Sequence, residues 1–429
     1  MHTDSSETAL EDLRARVAPL ARARALGRVA GISGGRLYLS GLSDTLRLGD
    51  EVTLRGTGLH AEVVALGEQV IALPCGDLDG AALGTLVEPL GPATVAPGPA
   101  WLGRVIDPFG APLDGRPLVS GTPRALHAPA PDAAGRGGFG PRLDTGRVAF
   151  DTLLPLAEGQ RIGIFAGSGV GKSHLLLELA RNVAADVVVA ALVGERGREV
   201  SAFARDVFGP DRPGVVIAAT SDRPANVRLR ALPAAVTTAE AFRDAGAKVL
   251  LVCDSLTRHA EAFAELAEAA PGTLPPGLVS GLAACLERLG PAGPDHPPIT
   301  AVATVLAAGS DLEGPIADAA RGLLDGHVVL SREIAETGRY PAIDVLASVS
   351  RALPGAASEA ENALVARARA ILELRSRNAL LVSSGLYEAG RDPALDAALR
   401  IAPKLDEVLV ARADGAPAAF AALDQALKG

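Results

Sequence analysis

The segment Ala166-Gly167-Ser168-Gly169-Val170-Gly171-Lys172-Ser173 brings three glycines, a lysine and a hydroxyl together at a spacing suited to phosphate chemistry. Glycines let the backbone form a cup of N–H donors, and the N-terminus of a following helix adds its dipole. In such a cup Lys172 is placed to reach β- and γ-phosphates, and Ser173 to hold Mg²⁺. The first position of the strict pattern, G-x-x-x-x-G-K-[ST], is filled here by Ala166. The bland alternative is a glycine turn after a strand. Lysine usage argues against it: Lys172, Lys248, Lys404 and Lys428 are the only lysines among 41 basic residues.

Two acids could complete such a site. Asp254 follows four apolar residues, Leu250-Leu251-Val252-Cys253, and an acid there can hold magnesium opposite Ser173 or simply cap a strand end. Glu195 ends the apolar run Asp186–Val193 plus Gly194, where a carboxylate can orient and polarise a water for attack on a γ-phosphate. The alternative is an exposed ion-pair partner for Arg196 or Arg198. Arg196, next to Glu195, joins the catalytic candidates.

These side chains need a scaffold that collects strand ends. Arg161–Phe165 reads as a buried strand before the glycine loop, and His174–Arg181 as the helix after it. Asp186–Val193, Lys248–Asp254 and Ile299–Leu306 read as further buried strands. Strands alternating with helices predict a parallel α/β sheet with its ligand at the strand C-termini. Upstream the pattern differs. Arg36–Leu39, Glu51–Arg55, Ala61–Leu66 and Gln69–Leu73 are short alternating strands between Gly, Asp and Pro turns, which predicts a small β-barrel acting as an oligomerisation collar. A Pro-, Ala- and Gly-rich linker lies between Gly121 and Pro141, and the last ~60 residues have helical spacing.

Residues 8–20 place Leu10, Leu13, Val17 and Leu20 on one helical stripe, disturbed by Pro19. Either this helix packs on its own domain or it docks a partner helix or a membrane surface. The chain of 429 residues, 48% hydrophobic and 21% charged, suits two or three domains with full cores. No apolar run is long enough to cross a bilayer. Met1–Glu7 has neither a basic start nor an apolar core, so a cytosolic location is expected. Cys75, Cys253 and Cys285 read as small buried residues rather than a disulfide framework. A net charge of −9 argues against nucleic-acid binding.

Further motifs carry a family resemblance. Gly194–Val200 (GERGREV), Ala219–Asp222 (ATSD), Asp254–Arg258 (DSLTR), Pro315–Gly322 (PIADAARG), Leu324–His327 (LDGH) and Tyr340–Arg351 (YPAIDVLASVSR) resemble the rotary ATPase catalytic-subunit superfamily. Within it the flagellar and type III secretion export ATPases are most similar, and the barrel segments Leu59–Val64 and Gly76–Gly80 favour the flagellar branch. The resemblance runs from about Gly27 to the C-terminus. It implies a RecA-like P-loop core between an N-terminal β-barrel and a C-terminal helical domain, with ATP and Mg²⁺ bound at each boundary of a homohexameric ring.

In that reading Glu195 takes the catalytic glutamate position and Arg351 that of an arginine finger reaching into the neighbouring subunit. Tyr340 and Tyr387 fall where aromatics sandwich the adenine. The implied domains are an N-terminal amphipathic segment (1–25), a barrel (26–94), the ATPase domain (95–370) and a C-terminal helical domain (371–429). Implied partners are a stator-like regulatory protein at the N-terminal helix, a coiled-coil central stalk protein, and an export gate with its substrates or chaperones. The implied location is the cytoplasm, peripherally at the inner-membrane export apparatus. Readings as a virulence injectisome ATPase, as an ion-translocating rotary ATPase subunit, as a nucleotide-binding ring without turnover or as a hexameric RNA helicase stand beside it. The chain departs from the pattern at His174, at Arg258-His259-Ala260-Glu261, which replaces an Arg-Phe-Ala-Met-like run, and between Ala269 and Gly277, where a pore-facing loop is shortened.

Overall fold

The computed structural model describes residues 25–209, 212–268, 273–307 and 314–428. The helix expected over residues 8–20 and part of the shortened stretch after Ala269 lie outside the described residues. The chain forms two compact units, one ending at Ala93 and one beginning at Thr94.

In the first unit six antiparallel strands close into a barrel: β1 (Gly27–Ser33), β2 (Arg36–Ser40), β3 (Asp50–Leu54), β4 (His60–Ala65), β5 (Val70–Pro74) and β6 (Leu86–Pro92), in the order β1-β2-β5-β4-β3-β6. Pairing of Gly27 with Val87 completes the circle. The sequence alternation sets which side chains fill it: Leu37, Leu39, Val52, Leu54, Val63 and Val70 point inward and are wholly or almost wholly buried. Burying each such side chain contributes about 1.5–3 kcal/mol. Register shifts in β1, between Val29 and Gly31, and at the β3–β6 pairing bend the strands to close the barrel.

The second unit is built on an eight-stranded sheet. Its strands are β7 (Arg104–Ile106), β8 (Arg161–Ala166), β9 (Val187–Val193), β10 (Gly214–Ala219), β11 (Val249–Asp254), β12 (Ile299–Leu306), β13 (Gly326–Leu330) and β14 (Ile343–Ser350), in the order β14-β13-β8-β12-β11-β9-β10-β7. Only β14 runs antiparallel to its neighbour. The central strands are apolar along their whole length because helices cover both faces, and all seven residues of β9 are buried. Crossover helices α1 (Lys172–Asn182), α2 (Gly197–Val207), α3 (Ala225–Asp244), α4 (Leu256–Leu266), α5 (Leu278–Leu286) and α6 (Pro315–Leu323) follow the strands.

Three long helices end the chain: α7 (Glu359–Arg377), α8 (Pro393–Leu409) and α9 (Gly415–Lys428). Ser358 and Glu361 form a reciprocal capping box that starts α7, and Asp392 caps α8, whose first residue is Pro393. Residues 370 and 371 both lie within α7. Leu372, Leu405, Phe420 and Leu423 from these helices join the core that also holds Phe150, Leu175 and Leu179. The core therefore ties the C-terminal helices to the glycine-loop helix.

Candidate active site

The glycine loop lies at the carboxyl end of β8. Ala166 is the last residue of that strand, in register with Leu306 of β12 and Leu330 of β13. Its carbonyl accepts from the Ala307 N–H at 3.0 Å. Its backbone is extended and paired, so nothing at this position requires glycine, and the departure from the strict pattern costs nothing. Glycine is required further on. Gly169 and Gly171 have φ of 82° and 95°, and Gly171 in that left-handed conformation is the N-cap of α1. The turn aims the first N–H groups of α1 into the loop, where an anion would sit.

Lys172 and Ser173 open α1 and meet Asp254 at the end of β11. The Lys172 ammonium donates to Asp254 Oδ1, and the Ser173 hydroxyl lies 3.3 Å from Asp254 Oδ2. Thr304, on the adjoining strand β12, donates to Asp254 Oδ1 at 2.7 Å. The Asp254 carboxylate is thus fixed both by α1 and by the adjoining strand, and is almost fully buried.

Glu195 follows Gly194, whose φ of +69° and N–H bond to the Ala219 carbonyl (2.7 Å) turn the chain at the end of β9. Its carboxyl is pushed up to about 7, first by burial, then by the nearby Asp254 charge and a hydrogen bond with Glu199. A cavity of about 400 Å³ lies before it, lined among others by Ser173, His174, Glu195, Glu199 and Asp254. Arg196, the N-cap residue of α2, is exposed.

A second cavity, of about 290 Å³, lies on the other side of α1. Val170, Gly171, His174, Leu330, Tyr340 and Pro341 line it, together with Arg147 and the α1 residues Leu175 and Glu178. Tyr340 lies so close to the glycine loop that a Cβ on Gly171 would stand 3.6 Å from its ring. Tyr387 is not among the lining residues. Its hydroxyl donates to Asp396 Oδ1 at 2.8 Å, on the first turn of α8, which holds it there. Arg351 follows β14, the edge strand of the sheet. It is exposed, and among the described residues its guanidinium makes no hydrogen bond or ion pair.

Residues 146–350 match the ATP synthase alpha/beta family, nucleotide-binding domain, and residues 357–427 match the T3SS EscN ATPase C-terminal domain. A flagellum-specific ATP synthase of Caulobacter vibrioides is 43% identical over 404 residues, covering 89% of this chain and 90% of the relative. The chain belongs to the ATP synthase alpha/beta family. A SPI-2 type 3 secretion system ATPase of Salmonella typhimurium is 42% identical, covering 89% of this chain and 82% of the relative. Among solved structures, the assembled ATPase EscN from enteropathogenic E. coli superposes with a TM-score of 0.86 at 35% identity, covering 94% of this chain and all of that one. EscN in complex with its central stalk EscO gives 0.82 at 34% identity, with the same coverage.

For an ATP synthase alpha/beta family chain, the two cavities flanking α1 meet at His174, which lines both. Ser173 Oγ and Asp254 Oδ2 are hard oxygen donors side by side, a set that fits Mg²⁺ completed by phosphate and water oxygens. Sequence reasoning missed Thr304. The available signal was a hydroxyl near the carboxyl end of an otherwise apolar strand. It also missed Arg147 and Glu178, whose ion pair at 2.8 Å borders the Tyr340 cavity and ties α1 to the segment before it. Only Glu178's place on the inner face of α1, at the period of Leu175 and Leu179, distinguished it.

Proposed function

We propose that this chain hydrolyses ATP in a homohexameric ring and so energises protein export through a flagellar type III secretion apparatus. The observation that carries the reading is the convergence of Lys172, Ser173, Asp254 and Glu195 at the carboxyl ends of neighbouring strands. Loop N–H groups and Lys172 would grip the β- and γ-phosphates, Lys172 exchanging its Asp254 partner for phosphate oxygen. Ser173 and Asp254 would hold Mg²⁺, which when bound neutralises charge on those oxygens. Glu195, with a carboxyl poised near neutrality, would orient the attacking water and take up its proton. The bond from the γ-phosphorus to the bridging oxygen breaks, leaving ADP and phosphate.

Arg351, exposed at the sheet edge, would reach the γ-phosphate held by the neighbouring subunit, with Arg196 closing the same boundary. Tyr340 would stack on the adenine. Tyr387 would serve the base only in an arrangement that frees it from Asp396. A coiled-coil stalk would occupy the ring axis, in line with the EscN–EscO complex. The segment before residue 25 would bind a stator-like regulator, and an export gate with its substrates or chaperones would complete the assembly on the cytoplasmic face of the membrane. Among the described residues no helix is long and apolar enough to cross a membrane.

The test is phosphate release from ATP measured against protein concentration, with sizing of the same samples. Specific activity should climb as the ring forms. Activity independent of assembly would refute the shared-site ring.

A further inference from the structure

The turn that carries Tyr340 is tied by charge to the C-terminal helices. Arg339, the residue before Tyr340, places its guanidinium 2.6 Å from Asp406 Oδ1 on α8. The same carboxylate accepts from Arg375 on the last turn of α7, at 2.6 Å through Oδ2 and 3.1 Å through Oδ1. One aspartate thus holds two arginines from different elements. All three are only partly exposed, Asp406 at 23%.

What lies around the bridge gives it a role. A cavity of about 370 Å³ opens on this side of Pro341, walled among others by Arg339, Pro341, Arg375 and Asp406. Pro341 and Tyr340 face the smaller cavity beside Gly171 on the other side. The turn begins at Gly338, whose φ of +80° leaves it no regular secondary structure of its own. A short turn with open space beneath it is not fixed by close packing there. The Arg339–Asp406 ion pair spans the gap through a single contact, and the two-pronged Arg375–Asp406 pair fixes the direction of the carboxylate that receives it.

We infer that Asp406 is a positioning residue for nucleotide recognition: through Arg339 it sets the Tyr340 ring against the glycine loop. The inference rests on the reading of the Tyr340 cavity as the adenine site. Asp406 touches no part of that cavity and acts only through the turn.

The test is a double-mutant cycle on the full chain, with KM and kcat for ATP measured in wild type, Asp406→Asn, Tyr340→Ala and the double variant. Asp406→Asn should raise KM about fivefold, from loss of a partly exposed charge bridge and of ring alignment, with kcat within about twofold. In the Tyr340→Ala background the same change should move KM by less than about twofold, because the ring it positions is gone. Asp406→Glu should restore most of the loss. Additive effects of the two substitutions, or an unchanged KM in Asp406→Asn, would overturn the inference while leaving the adenine site standing. An unchanged KM in Tyr340→Ala would overturn the adenine site itself. Arg339→Gln, which keeps the Arg375–Asp406 pair, must give the same KM shift and the same dependence on Tyr340, and it carries the test if Asp406→Asn does not fold.

Discussion

Thr304 donates its hydroxyl proton to Asp254 Oδ1 at 2.7 Å across the boundary between two adjacent parallel strands. The same oxygen accepts from Lys172, so Thr304 keeps the carboxylate in place when the lysine turns to a phosphate. Thr304→Val keeps the shape and removes the donor. A hydrogen bond to a charged group is worth about 1.5–3 kcal/mol, so kcat should fall roughly tenfold with KM for ATP changed far less. Steady-state kinetics decides it, and an unchanged kcat would remove Thr304 from the site.

Glu195→Gln keeps the hydrogen-bonding shape of the side chain but cannot take a proton. ATP binding should persist while turnover falls by about a hundredfold or more. The pH profile adds a second check. Because burial and Asp254 raise the carboxyl from 4.5 to about 7, kcat/KM should rise with pH around neutrality in the wild type. The folded value lies above the unfolded one, so the stability gained by holding that proton is whole below pH 4.5 and is lost as pH rises through 7. At pH 8 the Gln variant should therefore be the more stable, by on the order of 1 kcal/mol after allowing for partial exposure. Equal melting temperatures at pH 8 would show that the carboxyl ionises without strain.

The residues that do chemistry were readable because each sits where apolar β-branched sequence stops. Asp254 ends a buried strand, Glu195 follows one after Gly194, and Lys172 follows one after the glycine loop, and the composition of each strand announces it. The barrel was readable only in part. β2 to β5 are short apolar-rich runs between turn residues, whereas β1 carries Gly27 and Gly31 and β6 carries Pro89, Gly91 and Pro92, residues that weaken a strand pattern yet suit its bulges. Strand β14 escaped because half its residues face outward at the sheet edge, with Leu346 and Val349 exposed. Contacts such as Arg339–Asp406, 67 positions apart, leave no local trace at all.

Arg351 supplies a test of the ring. It stands exposed after the edge strand, with its backbone N–H bonded to the Asp325 carbonyl at 3.0 Å and its guanidinium outward. Arg351→Ala should lose about a thousandfold in kcat with ATP binding retained, the scale of an arginine acting on transition-state charge. Rings that mix Arg351→Ala with Glu195→Gln subunits should regain activity, since some boundaries then join an intact Glu195 to an intact Arg351. Mixtures no more active than either variant alone would mean that Arg351 serves its own subunit or none.

His259 tests the fold rather than the chemistry. It is 3% exposed on α4, burial pushes its imidazole down to about 4, and its Nδ1 finds no partner among the described residues. A buried polar atom without a partner costs about 1–3 kcal/mol. The run that this stretch resembles carries Phe where His259 stands, which makes Phe the substitution to try. Because the folded value lies below the ordinary 6.5, protonation adds no further penalty above pH 6.5, and stability is lost as pH falls from there through 4. That loss amounts to about 3 kcal/mol. His259→Phe should therefore melt higher than wild type at pH 7 and keep its advantage growing down to pH 4. Urea unfolding at the two pH values would measure it, and parallel losses in both proteins would mean that the acid sensitivity comes from elsewhere.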